Sequence, residues 1–271
     1  MNDTTHAWVV TLRKILADGA DVGPRGRPTK ELQHHTFKCA MADPVVKSAE
    51  RGLSYKFMAA EALWILNGDN SVAGIAPYNS RISEFSDDGK TFFGAYGPRV
   101  VDQLDYVVNA LLKDRETRQA VMTTWRRNPP ATKDVPCTVA LAFMARHGRL
   151  HCHAFMRSSD AWLGLPYDVF NFTMITARVA CLVNSTSQEK LELGDLCLTA
   201  ASSHLYSENF KGAQECSLFS SAAAPSVNNT ELQALVRQSD WATIHAAMIA
   251  CRDNRARQWA KPWVIRPTVM P

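Results

Sequence analysis

Residues Asp134 to Thr173, DVPCTVALAFMARHGRLHCHAFMRSSDAWLGLPYDVFNFT, decide how the rest of the chain is read. Thr138 to Met144 and Leu150 to Met156 each alternate apolar and polar positions in a period of two. They flank Arg146-His147-Gly148-Arg149, so a β-hairpin is expected. Pro166 suits the first turn of the helix PYDVFNFTMITARVACLV, where its missing N–H costs nothing. The order is strand, turn, strand, loop and helix start. It carries three groups capable of chemistry: Cys137 ahead of the first strand, Arg157-Ser158-Ser159-Asp160 after the second, and Asp168 in the helix's first turn. Each has a plain structural reading too. Cysteine is often a small buried apolar residue, and the helix dipole favours an acid in a first turn.

Downstream, Gly194-Asp195-Leu196 opens a last strand, CLTAASSHLYSENF, on which His204 and Tyr206 point the same way. The chain then becomes Ala- and Ser-rich from Ala213 and helical again in TELQALVRQSDWATIHAAMIA. Within the hairpin, His151 and His153 share a strand face. No third or fourth ligand stands at metal-binding spacing, so they read as polar residues of an outer face or interface, and no metal is expected.

Upstream, Ala7 to Gly19 sets Trp8, Val9, Leu12 and Leu16 on one helical face and stops at a glycine. The segment DVGPRGRPTKEL reads as a basic loop. Its Arg25-Gly26 could bring a guanidinium and bare backbone to a phosphate, or could simply be solvated. Tyr55 to Leu66 is apolar nearly all round and should be a buried helix. Its lone Glu61 must be paired, protonated or used. Asn67 to Phe93 is expected to be irregular, Gly94-Ala95-Tyr96-Gly97 a tight turn, and Val100 to Lys113 an amphipathic helix. Arg115-Glu116-Thr117-Arg118 then leads into the strand AVMTTW.

With 271 residues and 46% apolar composition the chain has ample material for a core. No Ser/Gly- or Pro-rich linker divides it, so a single domain over 1–271 is expected. Thirty basic against 26 acidic residues give a formal charge of +4. That is too mild to point to direct DNA binding, and it suits a small anion as well. Seven cysteines without CxxC spacing or a secretory leader point to a reducing cytoplasm. No run approaches the length of a membrane span.

The order Pro136-Cys137, a strand pair, Arg157-Ser158-x-Asp160 and Leu163-Gly164-Leu165-Pro166-Tyr167 resembles the thymidylate synthase superfamily. The synthases carry Asn two residues after that proline; this chain has Asp168, which resembles the deoxycytidylate hydroxymethylase branch. The likeness is densest from Asp114 to Phe210, sparser from Glu61 to Tyr96, and least at the ends. It implies an α+β fold, a large mixed sheet with helices on one face and the other face used for homodimerisation.

The resemblance also implies roles. Cys137 would be the nucleophile, Glu61 would order water and protons over the pyrimidine, and Tyr96 would match an active-site tyrosine. Arg25, with Arg27 its rival, would join Arg157 and Ser158 on the nucleotide phosphate, and Arg118 would act on it in trans from the partner subunit. Gln119 replaces a second arginine found in many members. His204 and Tyr206 would hold the sugar hydroxyl, and Asp160 and Gly164 would lie on the folate side. Where the synthases place a guarding tryptophan, the alignment puts Ser83. The terminal RQWAKPWVIRPTVMP does not preserve the tail that closes over folate in the synthases.

The chemistry implied is addition of a thiolate at C6 of a pyrimidine, which makes C5 nucleophilic toward the one-carbon unit of 5,10-methylenetetrahydrofolate. Water reaching the resulting exocyclic methylene gives a hydroxymethyl group, and hydride gives a methyl group. A missing indole favours water. Asparagine complements uracil, whereas a carboxyl group complements the amino group and N3 of cytosine. The expected activity is therefore dCMP 5-hydroxymethylation, with dCMP methylation or CMP hydroxymethylation as the alternatives. A viral or bacterial source would suit modified cytosine.

Overall fold

A computed structural model describes residues 4–219 and 230–253. In chain order the elements are α1 (Thr4–Asp18), β1 (Ala20–Val22), β2 (Thr29–Ala40), α2 (Tyr55–Leu66), α3 (Val72–Ile75), α4 (Tyr96–Lys113), β3 (Val121–Thr123), β4 (Thr138–Arg146), β5 (Arg149–Met156), β6 (Ser159–Asp160), α5 (Leu165–Thr186), β7 (Glu192–Tyr206), α6 (Phe210–Phe219), α7 (Thr230–Arg237) and α8 (Trp241–Arg252). The strands form one mixed seven-stranded sheet in the order β1-β2-β7-β5-β4-β3, with β6 beside β7. β5 and β6 run parallel to β7, and the remaining pairs are antiparallel. The fold is thus α+β, a large mixed sheet flanked by helices.

The hairpin follows from its sequence. Arg146 pairs with Arg149 across a two-residue turn in which His147 (φ 52°) and Gly148 (φ 72°) both take left-handed backbone. Register then assigns the faces. Phe37, Cys39, Leu196, Leu198, Cys152, Leu141 and Phe143 are buried on one side, where α1 and α5 lie against β2, β5 and β7. On the other side Lys38 stands opposite Cys197, and Cys197 opposite His153; Thr36, Thr199 and Phe155 follow, with Phe155 42% exposed.

Several boundaries differ from the sequence reading. The TKEL end of the basic loop is strand, the start of the twelve-residue β2. Its Gln33, His34, Thr36 and Lys38 face solvent, so apolar alternation is too sparse to announce a strand. His34 adopts φ 54°, and the ladder skips it. α4 starts at Tyr96 rather than Val100, because Gly94-Ala95 alone make the turn. β7 starts at Glu192, and α5 spans 165–186. The segment 257–271, which does not preserve the synthases' closing tail, lies outside the described residues. None of the described helices is long and apolar enough to cross a membrane.

Candidate active site

The four residues expected to be catalytic line one cavity of about 190 Å³: Cys137, Glu61, Asp168 and Tyr96. Three separate features of the fold bring them there. Cys137 directly precedes β4, whose ladder is irregular between Thr138 and Ala140, and the N–H groups of Thr124 and Trp125 both donate to Val139 O there. Such irregularities re-aim side chains beside functional sites. Tyr96 fixes the next residue: Thr138 N–H donates to its hydroxyl at 3.1 Å, and the Thr138 hydroxyl donates to it at 2.9 Å. Burial, with the Asp168 and Cys137 charges nearby, raises the Tyr96 pKa, so it stays a phenol. Gly94 is required by close approach. A side chain there would collide with Asp134 O, while Gly94 N–H donates to the Asp134 carboxylate at 2.6 Å.

Arg157 lies beside the thiol. Its Nε donates to Pro136 O at 2.9 Å and its Nη2 to Val135 O at 2.7 Å, which leaves Nη2 3.7 Å from Cys137 Sγ. Burial raises the Cys137 pKa; the Arg157 and Arg25 charges oppose that, and Asp168 and Asp134 add to it. A residue expected on the phosphate thus also supplies the cation that favours the thiolate.

The far wall is built where α2 meets α5. Glu61 Oε2 accepts a 2.7 Å hydrogen bond from Asn171 Nδ2, while Asn171 Oδ1 is buried without a partner. Desolvation raises the Glu61 pKa to about 7, with the Asn171 bond pulling the other way. Asp168 follows Gly164, whose carbonyl accepts its N–H at 3.0 Å. No described residue donates a hydrogen bond to its carboxyl. Burial first, then the neighbouring Glu61 and Asp160, raise the Asp168 pKa well above the usual carboxylate range.

The Glu61 shift carries a stability consequence. A carboxyl whose folded pKa is raised binds its proton more tightly in the folded state, so its contribution is full below the unfolded value and is lost as pH rises through the folded one. For a rise from 4.5 to about 7, at roughly 1.4 kcal/mol per unit, the loss is at most about 3 kcal/mol. Glu61→Gln should remove that loss. In urea titrations the variant should gain stability relative to wild type between about pH 4 and pH 8; a constant difference would contradict the raised pKa.

The remaining expected residues surround this cavity. Arg25 Nη2 donates to Tyr206 Oη at 3.2 Å, while Arg27 stacks on the Tyr206 ring and pairs with Glu208 at 2.9 Å. Arg27 is therefore already neutralised, which leaves Arg25 the freer cation of the two rivals. His204 is buried edge-on to Tyr206, with Nδ1 lacking a partner. Burial holds its pKa low, although Asp160 opposes the shift. Asp160 Oδ1 accepts the N–H groups of Trp162 and Leu163 at 2.9 and 2.8 Å, tightening the loop that ends at Gly164. Ser158 is half-buried between Arg157 and Ser159, and Arg118 is exposed.

Ser83 does not face the cavity. Its hydroxyl donates to Ser80 O, and the wall there is formed by Ile82 and Phe85. His151 and His153 are engaged with Asp195 N–H and the Thr199 hydroxyl, at 3.0 and 2.9 Å. Among the described residues no group of three or more His, Cys, Asp or Glu is arranged to hold a metal. Asn171 and Asp134, both of the cavity wall, were not singled out from sequence.

A thiol beside a guanidinium, facing two carboxyls of raised pKa across a small cavity, is an arrangement capable of covalent thiol catalysis coupled to proton transfer. The chain belongs to the thymidylate synthase family, whose model, described as Thymidylate synthase, matches residues 6–238. Membership brings folate-dependent one-carbon transfer to C5 of a pyrimidine nucleotide, with methylenetetrahydrofolate as donor. The cavity fits such a donor. Trp64, Ile65, Ile82, Phe85 and Phe92 give it an apolar side for a flat heterocycle, and the orphan Asn171 Oδ1 offers an acceptor.

Proposed function

We propose that the protein is a deoxycytidylate 5-hydroxymethyltransferase working as a homodimer in a reducing compartment, where Cys137 stays a thiol. The observation that carries this reading is Asp168, a carboxyl of strongly raised pKa in the same cavity as Cys137. When sulfur adds at C6 of cytosine, negative charge builds at N3, and a neutral Asp168 can pass a proton there while accepting from the amino group. An asparagine could donate a hydrogen bond but not give up the proton.

Methylenetetrahydrofolate, when bound, supplies the one-carbon unit. The chain's own residues do the rest. Cys137 adds and later leaves, Arg157 and Arg25 stabilise its thiolate and meet the phosphate with Ser158, and His204 and Tyr206 take the sugar hydroxyl. Glu61, with a pKa of about 7, can hold or release a proton at neutral pH and order the attacking water through Asn171. Asp160 and Gly164 shape the folate side. Arg118, exposed and without an ion pair among the described residues, would serve the partner's site in a dimer that pairs the open sheet faces around Phe155.

One observation favours the methyl-forming rival: Phe85, 51% exposed, lines the cavity with Ile82 and could screen water in place of an indole. The deciding experiment incubates the enzyme with dCMP and methylenetetrahydrofolate and measures product mass with folate oxidation state. A hydroxymethyl product with tetrahydrofolate left intact is expected. A methyl product with dihydrofolate would replace this reading by the methyltransferase.

A further inference from the structure

Behind the segment Phe92–Ala95, which also walls the catalytic cavity, lies a second opening of about 340 Å³. Arg99 of α4 and Arg126 of the loop after β3 line it, together with Asp87 and Asp88. The formal charges balance, but the hydrogen bonding does not. Asp88 Oδ1 accepts the N–H groups of Lys90 and Thr91 at 2.7 and 2.8 Å, and its Oδ2 accepts the Thr91 hydroxyl at 3.0 Å. Asp87 accepts Lys133 N–H at 3.0 Å and the Thr132 hydroxyl. Both carboxylates are thus committed to holding their own loops.

The cations are not committed in the same way. Arg99 is 6% exposed, and its Nη2 donates to Phe93 O at 2.6 Å, but its Nη1 is buried without a partner. Arg126 is exposed and pairs with no described carboxylate. The two charges repel each other: burial first and then Arg126 lower the Arg99 pKa, with Asp134 only partly offsetting them. A buried donor left without a partner is costly, and a fork of guanidinium donors is matched best by a planar or tetrahedral oxyanion.

We infer that this opening is a second ligand site, which takes an oxyanion, a carboxylate or a phosphate group, between the guanidiniums of Arg99 and Arg126. The site lies outside the thiol cavity and does not depend on which pyrimidine is modified there.

The test is calorimetric titration of the full chain with inorganic phosphate and, separately, with glutarate, at ionic strength fixed with chloride. Three proteins are compared: wild type, Arg126→Gln, and Arg127→Gln, which removes the same charge one residue along and outside the lining. Anion binding near Arg25 and Arg157 is common to all three and cancels. A saturable event in wild type and Arg127→Gln, weakened about tenfold or more in Arg126→Gln, is expected; the anion that titrates identifies the ligand class. Isotherms alike in all three proteins for both anions, or equally weakened in both variants, would overturn the site.

Discussion

Cys137→Ser is expected to abolish exchange of the pyrimidine C5 hydrogen with solvent and to lower turnover by about 10⁴-fold or more, the scale on which loss of a nucleophile acts. The surroundings of the thiol suit the proposed role. It lines the cavity, Arg157 Nη2 stands 3.7 Å from its sulfur, and the residue after it is pinned by Tyr96. A serine hydroxyl would keep the shape, but its much higher pKa leaves almost no anion for Arg157 to stabilise. Unfolding is no confounder for a near-isosteric change at a half-buried position. Deuterium wash-in at C5, followed by mass, is the measurement; exchange at the wild-type rate would assign the nucleophile elsewhere. Co-assembly extends the test. Mixed with inactive Arg118→Ala subunits, Cys137→Ser should regain activity in heterodimers, since one of their two sites then has its own Cys137 and the partner's intact arginine. No recovery would place Arg118 outside the neighbouring site.

What the sequence disclosed follows from how strongly each residue is constrained. α2 was legible to the residue because it is buried nearly all round, so its apolar run begins and ends with the helix. The hairpin was legible because its turn needs left-handed backbone at two positions and its strands alternate. β2 was not, since its pairing with β7 depends on backbone bonds that any side chain allows, and much of it faces outward. The same division runs through the site. Cys137, Glu61, Asp168 and Tyr96 stood out by motif or by chemical anomaly, and one cavity holds all four. Asn171 carried no such signal. A polar residue at one helical position becomes informative only when packing of α2 on α5 sets it 2.7 Å from a half-buried glutamate. Ser83 shows what a loop alignment leaves open. A loop alignment put it where a guarding side chain was expected, but the local 3₁₀ turn directs its neighbours Ile82 and Phe85 inward instead.

Asp168→Asn should exchange the preferred base, raising the ratio of kcat/KM for uracil over cytosine nucleotide on the order of 10³-fold or more, because a buried polar pairing rejects the wrong partner steeply. The argument rests on protons rather than on shape, since carboxyl and amide occupy nearly the same space. Burial, then the charges of Glu61 and Asp160, favour the protonated form of Asp168. Cytosine needs that proton at N3 as the C6–S bond forms; uracil already carries one and instead needs a donor toward O4, which an amide supplies permanently. The substitution also removes an ionisable group from a crowded site, so the titration that Glu61 and Asp168 share should change. A pH profile of kcat for the variant therefore accompanies the substrate comparison. A lost or displaced titration together with a reversed base preference fits Asp168 as the proton donor, whereas an unchanged ratio of the two substrates would move base recognition to another wall of the cavity.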